Sequence, residues 1–187
     1  MGDRWSFPKQ ASSATYVWQP LVISGTSISI PKYQEAWQLN TSTGIISKTE
    51  IKDEVIKNTD KQIQYKGNWK HLNNEVPESK SDEKEASFSI QFNGRQIAFN
   101  SFVGSENGYA KVVLTDEKGK EIVKAIIDMY SKFSMESQVF VSPILKKGKY
   151  RITVSVTGER PNWSDKRKSH YGSTGYYVSV NQIKIEK

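Results

Sequence analysis

The side chains able to do chemistry are plentiful, but few are grouped for catalysis. Hydrolysis of a glycosidic bond needs two carboxyl groups held about 5 to 9.5 Å apart, and any chain with 20 acidic residues contains candidates. Asp53-Glu54 and Asp82-Glu83 fall in polar, Lys-containing connectors, where a run of charge is ordinarily a solvated face, and Asp128 ends an apolar run where it caps a turn. The only histidines are His71 and His170, far apart and without the helical spacing of a metal pair. Absence of cysteine excludes a disulfide framework, a thiolate nucleophile and a zinc-thiolate site. Gly172-Ser173-Thr174-Gly175 is flexible and hydroxyl-bearing but is not a phosphate loop, and a turn before the last strand explains it. No Ser-His-Asp arrangement stands out.

Binding chemistry is better represented. Between Arg160 and Tyr171 the chain is polar, basic and without alternation, so no strand face buries Trp163. A surface indole there is unusual. With Tyr171, the amide of Asn162 and the cations Arg160, Lys166, Arg167 and Lys168, it offers a stacking plane with a hydrogen-bonding rim. The plainer reading of the segment is a mobile basic loop. As a sugar site it would favour uronic acid or sulfate, because charge-assisted bonds are the stronger ones. Lys146 and Lys149 would add to its field only if their strand starts at the same end of the fold. Trp69, after Gly67 at a strand end, is either a lid on the core or a second platform. Tyr65, Phe88, Phe92, Phe99 and Tyr150 sit in alternating runs and read as core.

Strands must position these groups. Ala86, Phe88, Ile90 and Phe92 share one face of a run, Ser87, Ser89 and Gln91 the other, and Asn93-Gly94 reads as a hairpin turn into Gln96 to Phe102. Ala110, Val112 and Leu114 alternate likewise, and Lys118-Gly119 turns the chain into Glu121 to Asp128. Tyr150, Ile152, Val154 and Val156 give the clearest strand. In the last run the apolar positions shift from Val178 and Val180 to Ile183 and Ile185, which predicts a β-bulge near Asn181-Gln182. No long amphipathic helix is legible, and aromatic residues, 11% of the chain, join Val, Ile and Thr in short runs.

The chain of 187 residues suits one well-cored domain with an appendage. Residues 1–46 are rich in Trp, Ser, Thr and Pro, with a strand-like run from Tyr16 to Ile23; residues 47–61 read as a polar linker; residues 62–187 read as the sandwich, with Ser79 to Glu85 an exposed low-complexity loop. An isolated two-stranded hairpin is marginal in water. Trp18, Leu21 and Trp37 are therefore expected to be covered by the sandwich or by a second copy of the chain, giving a homodimer through this segment. The charge of +7 is dispersed, lysines alternating with Asp and Glu in Ser79 to Glu85 and Asp116 to Lys124, which argues against a nucleic-acid partner. No apolar stretch approaches a membrane span or the core of a signal peptide, so an exported protein would carry its targeting segment upstream of Met1.

Two resemblances follow from ordered motifs. Tyr65-x-Gly67-x-Trp69, the strand ending Phe92-x-Gly94, Ile97 to Gly104, Gly108-x-Ala110-x-Val112, Leu145-x-x-Gly148-x-Tyr150 running to Val156-Thr157-Gly158, and Tyr177 to Ile185 resemble the β-sandwich modules of the galactose-binding-like superfamily. Gly2 to Trp5, Tyr16-Val17-Trp18-Gln19-Pro20-Leu21, Tyr33, Trp37 and Thr43-Gly44 resemble the closing segment of the five-bladed propeller of glycoside hydrolase family 43, in its galactanase-like branch.

The resemblances imply an all-β fold: an antiparallel jelly-roll sandwich with an N-terminal β-hairpin appendage. They imply a non-catalytic accessory module that binds plant or host polysaccharide or oligosaccharide for a bacterial polysaccharide-degrading enzyme, at the cell surface, in the periplasm or outside the cell. The family's catalytic acid, base and tuning carboxylate lie on earlier blades that this sequence lacks, so the expectation is the C-terminal part of a longer enzyme, or a gene that lost its catalytic domain. The alternative is a sandwich that only buttresses the propeller. Related sandwiches hold a structural calcium near both chain ends, and Asp60 and Glu186 supply the hard oxygens such an ion prefers. No other cofactor is implied.

Overall fold

The computed structural model describes residues 2–4, 15–30, 32–34, 37–48, 53–73, 75, 77–164 and 170–187, and every described element is a β-strand, turn or bend. The chain divides into two compact units, Met1–Lys52 and Asp53–Lys187.

Among its described residues the first unit holds three short antiparallel pairs. β1 (Gly2–Arg4) pairs with β2 (Thr15–Val17), β3 (Val22–Ser24) with β4 (Ser27–Ser29), and β5 (Trp37–Leu39) with β6 (Ile46–Lys48). The run expected from Tyr16 to Ile23 is broken after Val17 because Pro20 has no N–H to give a ladder. Gly25, at φ +59°, makes the β3–β4 turn. Asn40 makes the β5–β6 turn, its Oδ1 accepting the N–H groups of Ser42 and Thr43 at 3.0 Å each. The Trp37 indole donates to the Trp18 carbonyl at 3.1 Å.

The second unit is the sandwich. Its five-stranded sheet runs β14 (Glu121–Asp128), β13 (Tyr109–Asp116), β16 (Gly148–Val156), β11 (Ser87–Gly94), β8 (Gln64–Lys66). The opposing four-stranded sheet runs β15 (Met135–Val141), β12 (Gln96–Val103), β20 (Gln182–Glu186), β7 (Asp53–Lys57), and a smaller one runs β19 (Val178–Val180), β10 (Glu78–Ser81), β9 (Lys70–Leu72). A two-stranded ribbon, β17 (Asn162–Ser164) and β18 (His170–Gly172), stands apart from them. Every described pairing between these strands is antiparallel, as the sequence predicts, and only the isolated bridges Gly104–Tyr130 and Asn107–Tyr177 are parallel.

The alternating positions make the core. Phe88, Ile90, Val112, Leu114, Ile152 and Val154 from one sheet are fully buried with Ile97, Phe99, Ile183 and Ile185 from the other. Phe88 meets Phe99 edge to face at 5.6 Å. Each such side chain contributes about 1.5–3 kcal/mol through burial.

Four sequence readings are corrected or refined. β11 and β12 are not a hairpin, since they belong to different sheets. Gly94 arches the chain between them, where a Cβ would lie 2.4 Å from the Glu186 carbonyl. The described part of residues 47–61 is not a featureless linker: it holds the end of β6 and all of β7, and Ile56 and Asn58 are buried. Within Ser79 to Glu85, Ser79 and Ser81 lie buried in β10, their small hydroxyls satisfied, and only the following turn is exposed. At Asn181 the expected extra residue is present: Asn100 is in register with Gln182, yet its carbonyl also accepts the Asn181 N–H at 3.0 Å. Two residues thus oppose one, and the strand changes partners at that bulge.

Candidate functional site

The end of the sandwich where β16 gives way to β17 carries most of the residues singled out above. The chain leaves β16 through Thr157, whose hydroxyl donates to the Tyr109 carbonyl at 2.9 Å, while Tyr109 N–H donates to the Glu159 carbonyl at 2.9 Å. The ribbon then pairs Asn162 with Gly172, Trp163 with Tyr171 and Ser164 with His170. Directly opposed positions lie on one face of a ribbon, so the sequence segment that lacked alternation brings its two aromatic residues into register.

The base of the ribbon is tightly built. Gly172 has φ +139°, and a Cβ there would lie 2.3 Å from the Pro161 carbonyl, so glycine is required twice over. Ser173 N–H donates to that same carbonyl at 2.9 Å. The Thr174 N–H reaches the Ser105 carbonyl at 2.8 Å and the Tyr177 N–H the Glu106 carbonyl at 3.0 Å. Ser173 is buried, its hydroxyl 2.8 Å from the Gly175 carbonyl. The Gly-Ser-Thr-Gly segment is therefore the strap that fastens the ribbon to the neighbouring loop.

Arg160 stands beside the ribbon with its guanidinium 5.0 Å from the centre of the Tyr176 ring, a cation–π arrangement. Lys80 lies 5.3 Å from the Tyr177 ring centre and pairs with Glu78 at 3.0 Å. Tyr177, Lys80, Glu78, Glu106 and Asn107 line a cleft of about 190 Å³. Tyr176, Tyr177 and Lys80 were not among the residues read from the sequence, although two adjacent tyrosines following a glycine-rich turn are a legible signal. Asn162 is exposed, and Lys166, Arg167 and Lys168 lie outside the described residues.

Two expectations separate from this site. Lys146 and Lys149 do not join it: β16 starts with Gly148 opposite Gly94 and runs nine residues, about 30 Å, before it reaches Val156. Trp69 packs on the core margin, 5.0 Å from Tyr65 and edge-on to Phe88 at 5.7 Å, with its Nε1 donating to the Lys66 carbonyl at 3.0 Å. It is partly buried in that packing, as a lid would be.

The structure adds one histidine–serine contact, His71 Nδ1 to Ser79 Oγ at 2.7 Å. Ser79 is wholly buried, also receives the Asn58 amide at 3.0 Å, and adjoins Tyr65, whose hydroxyl donates to the Asn58 carbonyl and whose pKa burial pushes up to about 12. A serine sealed from solvent cannot reach a substrate, so this cluster fastens β9 and β10. For calcium, Asp60 Oδ1 is engaged by the Gln62 N–H at 2.9 Å, and Glu186 stands in register with Asp53. Burial first, and then Glu186, raises the Asp53 carboxyl. Among the described residues no three His, Cys, Asp or Glu side chains are grouped to hold a metal. No described helix is long and apolar enough to cross a membrane.

No family model matches the chain, and no curated protein matches it by sequence. Solved structures resemble it in fold. An exo-β-1,3-galactanase from Phanerochaete chrysosporium is 18% identical with a TM-score of 0.46, the match covering 99% of this chain and 40% of that one. The CBM36-1 domain of a multidomain xylanase from the hindgut metagenome of Trinervitermes trinervoides is 13% identical with a TM-score of 0.43, covering 72% of this chain and 97% of that domain. A family two carbohydrate esterase from Cellvibrio japonicus is 16% identical with a TM-score of 0.45, covering 71% of this chain and 33% of the esterase. The chain thus spans about two fifths of the galactanase and a third of the esterase.

Proposed function

We propose that Asp53–Lys187 is a non-catalytic carbohydrate-binding module of a secreted or surface-attached polysaccharide-degrading protein, and that its ligand lies on the β17–β18 ribbon. The observation that carries this reading is the in-register pairing of Trp163 and Tyr171 on a ribbon whose base is locked by Gly172, Pro161 and Ser173. Two aromatic residues in register are what a stacking platform for the faces of sugar rings requires. Arg160 supplies the hydrogen-bonding rim, whereas Asn162, next to Trp163 in β17, alternates to the other face of the ribbon. Among the described residues Arg160 has no carboxylate partner, so the rim favours a uronic acid or sulfate group. Isothermal titration of the chain against galactan, xylan, arabinan and pectin fragments tests it; heat of binding with an acidic fragment is expected, and silence across the panel contradicts it.

A second reading is favoured by the apolar side chains that the first unit exposes: Trp18, Leu21, Ile23, Ile28, Tyr33 and Leu39 are each at least half exposed. In it the sandwich buttresses a glycoside hydrolase propeller, or pairs with a second copy through this unit, and binds no sugar. Sedimentation of the full chain as a dimer and of Asp53–Lys187 as a monomer, with no glycan bound by either, is the outcome that reading requires.

A further inference from the structure

On the sandwich a second cleft, of about 560 Å³, is lined among others by Lys57, Asn58, Asn73, Glu136, Asn181 and Gln182. Ile97 and Phe99 of β12 face the core, which leaves Asn100 and Phe102 on the outer face of the four-stranded sheet beside β15 and β20. There Glu136, itself exposed, is gripped by amides. Asn100 Nδ2 and Gln182 Nε2 both donate to Glu136 Oε1 at 3.0 Å, and the neighbouring Asn181 amide adds to their stabilisation of the carboxylate. These bonds hold the carboxyl below its ordinary pKa against the opposing effect of burial.

The grip leaves two acceptors unmet. Asn100 and Asn181 are 8% and 9% exposed, and the Oδ1 atom of each is buried with no partner. Turning either amide over would satisfy nothing, because it would set Oδ1 against the carboxylate. Buried acceptors are rarely left unpaired in a folded protein, and a carboxylate that only decorates a surface is solvated by water without such help. Two side chains forgo a hydrogen bond so that an exposed anion is fixed in place, which is the mark of a preorganised binding group. Both amide bonds fall on Oε1, so of a carboxylate's roughly four acceptor sites at least one remains for a ligand donor.

We infer that this cleft binds a neutral sugar residue, with ring hydroxyls donating to Glu136, and that it is a second site with a charge preference opposite to that of the ribbon. The exposed Asn73 offers a further amide partner, and the partly buried ring of Phe102 gives the wall an apolar patch. Glu136 and Glu75 outnumber Lys57 on the cleft lining, so its net charge disfavours an acidic ligand. The inference is independent of the ribbon, and either site can fail alone.

Side-chain amide signals of Asn100, Asn181 and Gln182 report this cleft in a nitrogen–proton NMR titration of the full chain, while the backbone signals of Trp163 and Tyr171 report the ribbon. A neutral disaccharide from the set galactobiose, xylobiose and arabinobiose is expected to shift the cleft signals saturably, and digalacturonate is not. Glu136→Gln should weaken that binding by about tenfold or more, the weight of a hydrogen bond to a charged group. Gln182→Ala, which loosens the grip without removing the acceptor, should weaken it less. Absence of saturable cleft shifts with all three disaccharides overturns the inference, as does unchanged affinity in Glu136→Gln. Shifts produced by calcium chloride alone would make the group a cation ligand and overturn it equally.

Discussion

The two units of this chain are built from the same residue types and end in opposite physical states. In Asp53–Lys187 the apolar residues recur every second position over strands of five to nine residues, several paired on both sides, and Phe88, Leu114, Ile152 and Ile183 lose essentially all contact with water. Among the described residues of Met1–Lys52 the strands are three residues long and paired once, and Ile23, Ile28 and Ile45 remain 65–70% exposed. Apolar content alone does not make a core. A strand needs a neighbour on each edge and a second layer over its face before burial repays the entropy of ordering it.

The comparison is most easily broken by truncation in each unit. Phe88→Ala should cost about 3–5 kcal/mol, the usual loss for a buried aromatic, whereas Ile23→Ala should stay within about 0.5 kcal/mol. Denaturant midpoints measure both, and a comparable loss at Ile23 would show that the first unit is cored by something that covers it. Gly172→Ala should be intermediate, at about 1–3 kcal/mol, because it forces a side chain into a left-handed backbone position against Pro161. Its larger effect should be on glycan binding, since the ribbon loses its base. If it binds sugar as well as the wild type, the ribbon is not the platform.

A smaller effect concerns pH. Amides hold Glu136 below its ordinary value, so its contribution is present above the unfolded glutamate range, near 4.3, and is lost as pH falls through the folded value. Asp128 behaves oppositely: burial raises it against the bond from Tyr130 N–H, so its contribution is present in acid and lost as pH rises through the folded value. Glu136→Gln should therefore flatten the acid limb of the stability profile, and Asp128→Asn should improve relative to wild type as pH rises toward neutrality. A parallel shift across the whole pH range in either variant would contradict the assignment.

The difference between the units also explains what the sequence discloses. Period-two runs such as Ala86 to Phe92 and Tyr150 to Val156 identify their strands and inner faces directly, because side-chain direction in a strand is fixed by parity. β7 and β10 do not declare themselves: each is short, Lys-containing and buried through one isoleucine or two serines. Asn93-Gly94 misleads for a related reason, since glycine serves a tight hairpin and a close crossing between sheets equally well. At the ribbon the residue types were legible but their pairing was not, for register there depends on Gly172 meeting Pro161 and on the strap from Ser173 to Ser105. The Glu136 cluster was invisible, because Asn100, Glu136 and Asn181 are brought together only by three strands and a bulge.

The central claim is that the ribbon is a sugar platform, and titration calorimetry of wild type and Trp163→Ala against neutral galactan and acidic pectin fragments tests it most directly. The account predicts that the wild type binds the acidic fragment more tightly than the neutral one at the ribbon, and that Trp163→Ala loses about 1–3 kcal/mol of that binding while keeping the wild-type denaturant midpoint. Equal affinity of the two proteins for every ligand they bind would remove the ribbon from the site.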